Sequence, residues 1–189
     1  MITVQNAVLS RTSSGVPFSE EFHDIYHSGH GGIAQSRHVF LEGSALPGRW
    51  QGRDAFTILE TGFGLGLNFL CAWAAWRADP RRPARLHFVS VEGRPFARAD
   101  LAAALAPFEE LAPLAGALEA SWPPPLAGFH RLHFDGGNVI LTLLFGEAAE
   151  LLPQLVARAD ALFLDGFAPA RNPGTVSYTH LTLPTIYSV

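Results

Sequence analysis

Hydrophobic positions along this chain follow two rhythms: short unbroken apolar runs, and longer stretches with helical spacing. The run at 55–59, between Arg53-Asp54 and a glycine cluster, predicts a buried strand. Residues 67–77 place Phe69, Leu70, Trp73, Ala74 and Trp76 at helical spacing, and the pattern stops before Asp79-Pro80. A second strand is expected over 86–91 and a second helix over 96–105. Beyond a proline-rich connector at 122–125, the runs 129–134 and 139–145 flank Asp135-Gly136-Gly137-Asn138 and predict an antiparallel pair around a tight turn. Residues 148–157 read as a helix, and 161–164 as a last buried strand ending at Asp165. The stretch 4–38 is mixed and turn-rich, punctuated by Ser13-Ser14-Gly15 and by glycines between 29 and 32. Strand–helix alternation of this kind implies an α/β fold, a doubly wound parallel sheet with helices on both faces.

Ligands of such sheets sit beyond the carboxyl ends of the strands. Four polar clusters fall there, at 60–66, 92–93, 146–148 and 165–173. In the first, Glu60-Thr61-Gly62-Phe63-Gly64-Leu65-Gly66 follows a strand and opens a helix. Glycines allow positive φ and close backbone approach to a ligand. A dinucleotide turn would want Gly-x-Gly-x-x-Gly, and here Leu67 stands at the third glycine's place. No Gly-Lys-Ser/Thr follows, which excludes a P-loop, and the leading Glu60 would oppose a phosphate but attract a cation. A tight turn without a ligand is the plain alternative, just as Glu92 could be a solvated strand-end charge and Glu147 an acid at a helix start.

Composition narrows the setting. The chain has 189 residues, one domain's worth, with 48% hydrophobic and 16% charged residues, too apolar for disorder. No apolar run approaches the ~18–20 residues that span a bilayer, so no membrane partner is expected. Residues 1–14 lack the order of a secretion signal, and the single Cys71 fits a reducing cytoplasm. A net charge of −4 argues against a generic polyanion binder without excluding RNA at a local basic patch. All 13 cations are arginine. Arginines 77, 81, 82, 85, 94 and 98 form the dense basic stretch, with phosphate contact and favourable placement at a helix end both open as explanations.

The pattern Glu-x-Gly-x-Gly-x-Gly after a first strand resembles motif I of the class I S-adenosylmethionine-dependent methyltransferases, a Rossmann-like fold. The resemblance implies cofactor contacts at Glu60, Gly62, Gly64, Gly66 and Asn68, with Glu92 on the ribose hydroxyls and Glu147 beside adenine. The loop Asp165-Gly166-Phe167-Ala168-Pro169-Ala170-Arg171-Asn172-Pro173 is similar, more narrowly, to that of the bacterial bifunctional tRNA-modifying family MnmC. So are Tyr26…Ser28, residues 37–41, 60–68, 129–132 and 141–146, over roughly residues 22 to 173. Gln35 departs from the family, which often carries glutamate there.

That resemblance implies N-methylation of the wobble 5-aminomethyl-2-thiouridine of tRNA to its 5-methylaminomethyl form, with S-adenosyl-L-methionine as cofactor. It implies Asp165 as the residue that orients the amine and helps remove its proton, with Tyr26, Phe167 and Pro169 shaping the substrate pocket. A buried turn cap is the plain alternative for Asp165. FAD belongs only to a C-terminal oxidoreductase domain expected in the full-length bifunctional protein, since no second glycine-rich dinucleotide turn occurs here. The other functional readings are a methyltransferase acting on another acceptor, and a non-catalytic fragment that binds S-adenosylmethionine.

Several features read as structural. Trp73 and Trp76 are expected in the core, and Cys71 as a small buried hydrophobe. His27-x-x-His30 and His130-x-x-His133 have metal-like spacing, but no cysteine or carboxylate close by completes a site, so no metal is expected. Residues 1–50 are read as an N-terminal extension and pocket edge, and 51–174 as a partial methyltransferase domain. The tail 175–189 has no Ala, Arg or Gly, and resembles a translated sequencing adapter, so it is expected to be non-native; a β-rich terminal segment is the alternative. On that reading the last strands of a seven-stranded sheet are missing, and the chain as written is expected to be a poor catalyst or inactive.

Overall fold

The structure, a computed structural model, describes residues 2–27 and 31–165. It opens with three short strands, β1 (Ser10–Arg11), β2 (Pro17–Ser19) and β3 (Asp24–Ile25), paired antiparallel in that order. Elements of two or three residues carry no readable periodicity, which is why this region looks only turn-rich in sequence. A helical turn, α1 (Gly32–Gln35), runs into a π-helical segment, Ser36–Glu42.

The expected alternation then begins with β4 (Ala55–Thr61), α2 (Leu67–Ala78), β5 (Arg85–Glu92) and α3 (Arg98–Leu105). It continues through α4 (Ala112–Ala120), β6 (Gly128–Phe134), β7 (Val139–Phe145), α5 (Ala148–Leu151) and β8 (Ala161–Leu164). The strands form one sheet in the order β6-β7-β5-β4-β8, parallel except for the β6/β7 pair. The register sets Glu60 opposite both Ser90 and Phe163, and Glu92 opposite Phe145, so the carboxyl ends of β4, β5, β7 and β8 finish at one rim.

Side chains alternate across the sheet as strand geometry demands. Phe56 and Ile58 of β4, Leu86 and Phe88 of β5, Leu141 and Leu143 of β7 and Phe163 of β8 join the larger core with α2 and α4. Val89, Val91 and Leu144 point the other way and meet Leu151 of α5. Helix α2 is sandwiched so fully that Trp73 and Trp76 are buried at 2% and 4% exposure, and Cys71 at 1%, as expected. Their indole nitrogens are satisfied by Asp135 Oδ2 (2.6 Å) and the Pro83 carbonyl (2.9 Å).

Three element expectations need correction. The helix expected over 148–157 ends at Leu151 and tightens into a 3-10 turn, Leu152–Gln154, because Pro153 supplies no backbone donor. The second helix starts at Arg98 rather than at 96, since Phe96 is held in a bridge to Ala7 and Ala97 is an extended N-cap. Helix α4 was not anticipated. Leu114, Ala115 and Leu118 bury one face of it at helical spacing, continued by its buried N-cap Leu111, but Pro113 and Gly116 obscure the pattern.

Candidate active site at the strand ends

The ends of β4, β5 and β7 each hand the chain to a turn at the same rim. After β4, Gly62 continues the ladder by donating to the Val91 carbonyl (2.9 Å), and after β7 Gly146 donates to that of Glu92 (3.0 Å). The turn then brings Gly64 N within 2.8 Å of Glu92 Oε2, while Arg94 N lies 2.7 Å from Glu92 Oε1. Each carboxylate oxygen of Glu92 thus accepts a backbone amide, the Phe63 amide adds a third bond to the carboxylate, and lone pairs remain for further donors. Burial pushes the Glu92 carboxyl up, against the pull of the Arg94 and Gly64 amides and the Arg94 charge.

Between these turns and the N-terminal strands lies a cavity of about 250 Å³. Its walls include Gly62, Gly64, Asn68, Glu92, Glu147 and Asp165, together with Tyr26 and Gln35 from the N-terminal region. Residues 21, 22 and 25–27 thus line one side of the pocket. The Tyr26 ring packs on Phe96 at 4.9 Å between centroids, and burial beside Glu92 pushes its phenol up.

Two other expected contact residues sit off the wall. Glu60 lies beneath it at 1% exposure, with Oε1 accepting from Asn68 Nδ2 (2.9 Å) and Oε2 from Ser90 Oγ (2.6 Å). Burial and the neighbouring Asp165 and Glu92 push its carboxyl well up, while the Ser90 and Asn68 hydrogen bonds oppose. Gly66 is the left-handed N-cap of α2, folded over the Phe63 ring. Asp165 is tied at both ends: its Oδ2 accepts from Asn68 Nδ2 (2.7 Å) and its carbonyl from Thr61 Oγ1 (3.2 Å). Phe167 and Pro169 lie outside the described residues.

Charge decides what this cavity suits. Glu21, Glu92, Glu147 and Asp165 line it against one arginine among the described residues, Arg94. Arg94 is itself shared between Glu21 (3.4 Å) and Glu147 (3.6 Å). Such a wall complements a cation and disfavours a phosphate. Sequence reasoning placed Arg94 with a basic stretch; in the fold that stretch disperses. Arg77 pairs with Asp135 (2.6 Å), Arg98 with Glu119 (3.6 Å), and Arg82 stacks over Trp76 at 4.7 Å. Ser90 was also missed; its signal is a lone hydroxyl in the otherwise apolar stretch Phe88-Val89-Ser90-Val91.

His130 and His133 fall on opposite faces of β6, and His130 Nε2 bonds the Leu126 carbonyl at 2.7 Å. Among the described residues no cluster of three or more metal-ligating side chains occurs, and no helix is long and apolar enough to cross a membrane.

A family description of S-adenosyl-L-methionine-dependent methyltransferases matches residues 109–182. The chain is 59% identical over 170 residues to the tRNA 5-methylaminomethyl-2-thiouridine biosynthesis bifunctional protein MnmC of Aromatoleum aromaticum, covering 90% of this chain and 27% of that protein. It is 59% identical over 167 residues to the protein of the same name from an Azoarcus species, covering 88% and 26%. The chain thus spans about a quarter of the length of the curated relatives it matches. The crystal structure of MnmC2 from Aquifex aeolicus superposes with a TM-score of 0.65 at 24% identity, over 89% of this chain and 52% of that one, a likeness of fold. The resemblance read from the sequence is borne out, and the fold is that of the class I S-adenosylmethionine-dependent methyltransferases.

Proposed function

We propose that this chain, similar over 90% of its length to MnmC, carries part of a unit that methylates the 5-aminomethyl-2-thiouridine of tRNA to 5-methylaminomethyl-2-thiouridine. The observation that carries the reading is the 59% identity, because the geometry argues for a cationic ligand and fold alone does not fix an acceptor. The cofactor, when bound, supplies an electrophilic methyl group on a sulfonium.

The chain's own residues do the rest. The turn at Gly62 and Gly64 lets backbone approach the ligand, and the acidic wall matches its positive charge. Glu92 accepts from both hydroxyls of a ribose, a vicinal diol that suits a two-oxygen acceptor. Glu147, on the cavity wall, accepts from the adenine amine. Asp165 orients the substrate amine and takes its proton, since only the unprotonated amine attacks. Alignment of amine and methyl supplies much of the acceleration. Tyr26, on the cavity wall, packs against the splayed base, a role the family resemblance also implies for Phe167 and Pro169.

On this reading tRNA is the partner and the cytoplasm the site of action. FAD chemistry is left to an oxidoreductase domain of the longer protein. On the same reading residues 51–174 are a partial methyltransferase domain and 175–189 are foreign to it, although the family match runs on to residue 182; sequencing the source locus past codon 174 tests this. The functional test is incubation with methyl-labelled cofactor and tRNA from cells lacking the modification. Label in 5-methylaminomethyl-2-thiouridine after digestion supports the reading. Label in a different acceptor, or cofactor binding with no transfer to any RNA, overturns it.

A further inference from the structure

Asn68 spends both hydrogens of its side-chain amide on carboxylates. Its Nδ2 lies 2.9 Å from Glu60 Oε1 and 2.7 Å from Asp165 Oδ2. Behind this bridge Ser90 Oγ lies 2.6 Å from Glu60 Oε2. The members come from four places in the fold: Glu60 from β4, Asn68 from α2, Ser90 from β5, and Asp165 from just beyond β8. Glu60 and Ser90 are buried at 1% and 0% exposure, and Asn68 at 6%. Asn68 and Asp165 reach the cavity, whereas Glu60 and Ser90 do not.

A single neutral amide between two carboxylates is a poor arrangement if both are charged. Among the described residues, those that act on Glu60 are Ser90 from β5, Asn68 from α2, Asp165 beyond β8 and Glu92 at the end of β5, and none of these is a cation. One proton resolves the conflict, and the more buried partner is the one that keeps it. The short contact to Ser90 serves this equally well, since a hydroxyl can accept from a protonated carboxyl as readily as it donates. Such pairs, with environments that push their protonation apart, separate a proton holder from a proton acceptor.

We propose that Glu60 is a positioning residue for Asp165, acting through Asn68 as a neutral carboxylic acid rather than as a ligand of the cofactor. The inference rests on the proposed role of Asp165 as proton acceptor and adds the group that holds it. The Glu60 acid fixes the Asn68 amide, the amide fixes Asp165 Oδ2, and the pair carries one negative charge at the reacting amine instead of two.

The test compares Glu60→Ala with the conservative Glu60→Gln, whose amide reproduces both hydrogen bonds of the neutral acid. Glu60→Ala is expected to lower kcat by ~10- to 100-fold, the scale of a misplaced catalytic group, with little change in the Kd of the cofactor. Glu60→Gln is expected to rescue most of that loss. Infrared difference spectroscopy of the ligand-free chain at neutral pH supplies a readout independent of turnover: the C=O band of a protonated carboxylic acid is present in the wild type and lost in Glu60→Gln. The proposal is overturned if Glu60→Gln is as slow as Glu60→Ala, if either substitution mainly weakens cofactor binding, or if the band is absent from the wild type. A wild-type chain that shows the band but methylates no tRNA defeats the functional reading instead, and leaves Glu60 assigned as a neutral acid.

Discussion

Replacing Gly66 by alanine separates the structural from the ligand-facing glycines of the β4–α2 turn. Gly66 has φ +74°, and a Cβ there would lie 2.6 Å from Cζ and 2.7 Å from Cε1 of Phe63. That ring is 3% exposed and stacks on Trp122 at 5.7 Å, so it has little room to swing aside. The left-handed backbone costs an alanine about 1–2 kcal/mol, and overpacking a filled core about 1–3 kcal/mol more, giving roughly 2–5 kcal/mol for Gly66→Ala. Gly64 is the control. Its φ is +52°, but a Cβ there meets only the edge of Tyr26, at 3.4 Å, so Gly64→Ala should cost about 1–2 kcal/mol, essentially the backbone contribution alone. Urea denaturation followed by circular dichroism, extrapolated linearly to water, measures both. Set against a typical domain stability of about 5–15 kcal/mol, the difference between the variants is easily resolved. Gly64→Ala should in turn weaken ligand binding more than its small stability loss suggests, because its methyl group enters the cavity wall beside Tyr26. If Gly66→Ala is no more destabilising than Gly64→Ala, Phe63 yields and the packing argument fails.

Two further outcomes follow from the same geometry. Asp135 accepts three hydrogen bonds from Arg77, two from Nε (2.9 and 3.1 Å) and one from Nη2 (2.6 Å), and one from Trp73 at 2.6 Å; burial opposes its ionisation, but these partners hold its carboxyl below the usual range. A depressed folded-state pKa gives stability that is present above the unfolded value, near ~4, and is lost as pH falls through the folded value. Asp135→Asn should therefore cost about 1–3 kcal/mol at pH 7, with a gap to wild type that closes in acid; a pH-independent gap in denaturation midpoints would count against the pairing. Asp165→Ala should reduce methyl transfer by ~10²- to 10⁴-fold, as expected for a lost proton acceptor, while sparing cofactor binding, and a near-normal rate in single-turnover assays would remove that role.

The long strands and α2 were legible because their apolar runs and helical spacing coincide with burial on both sides of a sheet. The hairpin of β6 and β7 was readable from Asp135-Gly136-Gly137-Asn138, where Gly136 and Gly137 take positive φ. What escaped was written in weaker signals. Strands β1 to β3 are too short for alternation to show, and the helical spacing of α4 is interrupted by Pro113 and Gly116. At the site, sequence located Glu92 and Asp165 at strand ends, with Asn68 just inside the helix that follows β4, but it could not tell a buried acid from a lining one. Glu60 and Glu92 both follow apolar runs, yet only the register that sets Glu60 against Ser90 and Phe163 sinks it beneath the wall. Arg94 was counted with its neighbours in sequence, whereas the turn after β5 carries it into the cavity between Glu21 and Glu147.

The central claim is that this acidic cavity takes a cationic nucleoside cofactor through Glu92, and calorimetric titration tests it most directly. The wild-type chain should bind S-adenosyl-L-methionine at one site and show no comparable affinity for an anionic dinucleotide such as NAD. Glu92→Ala should weaken the methionine derivative by ~10- to 100-fold, the equivalent of losing charged hydrogen bonds. A folded wild-type chain that prefers the dinucleotide, or a Glu92→Ala variant that binds S-adenosyl-L-methionine as tightly as wild type, would contradict the account.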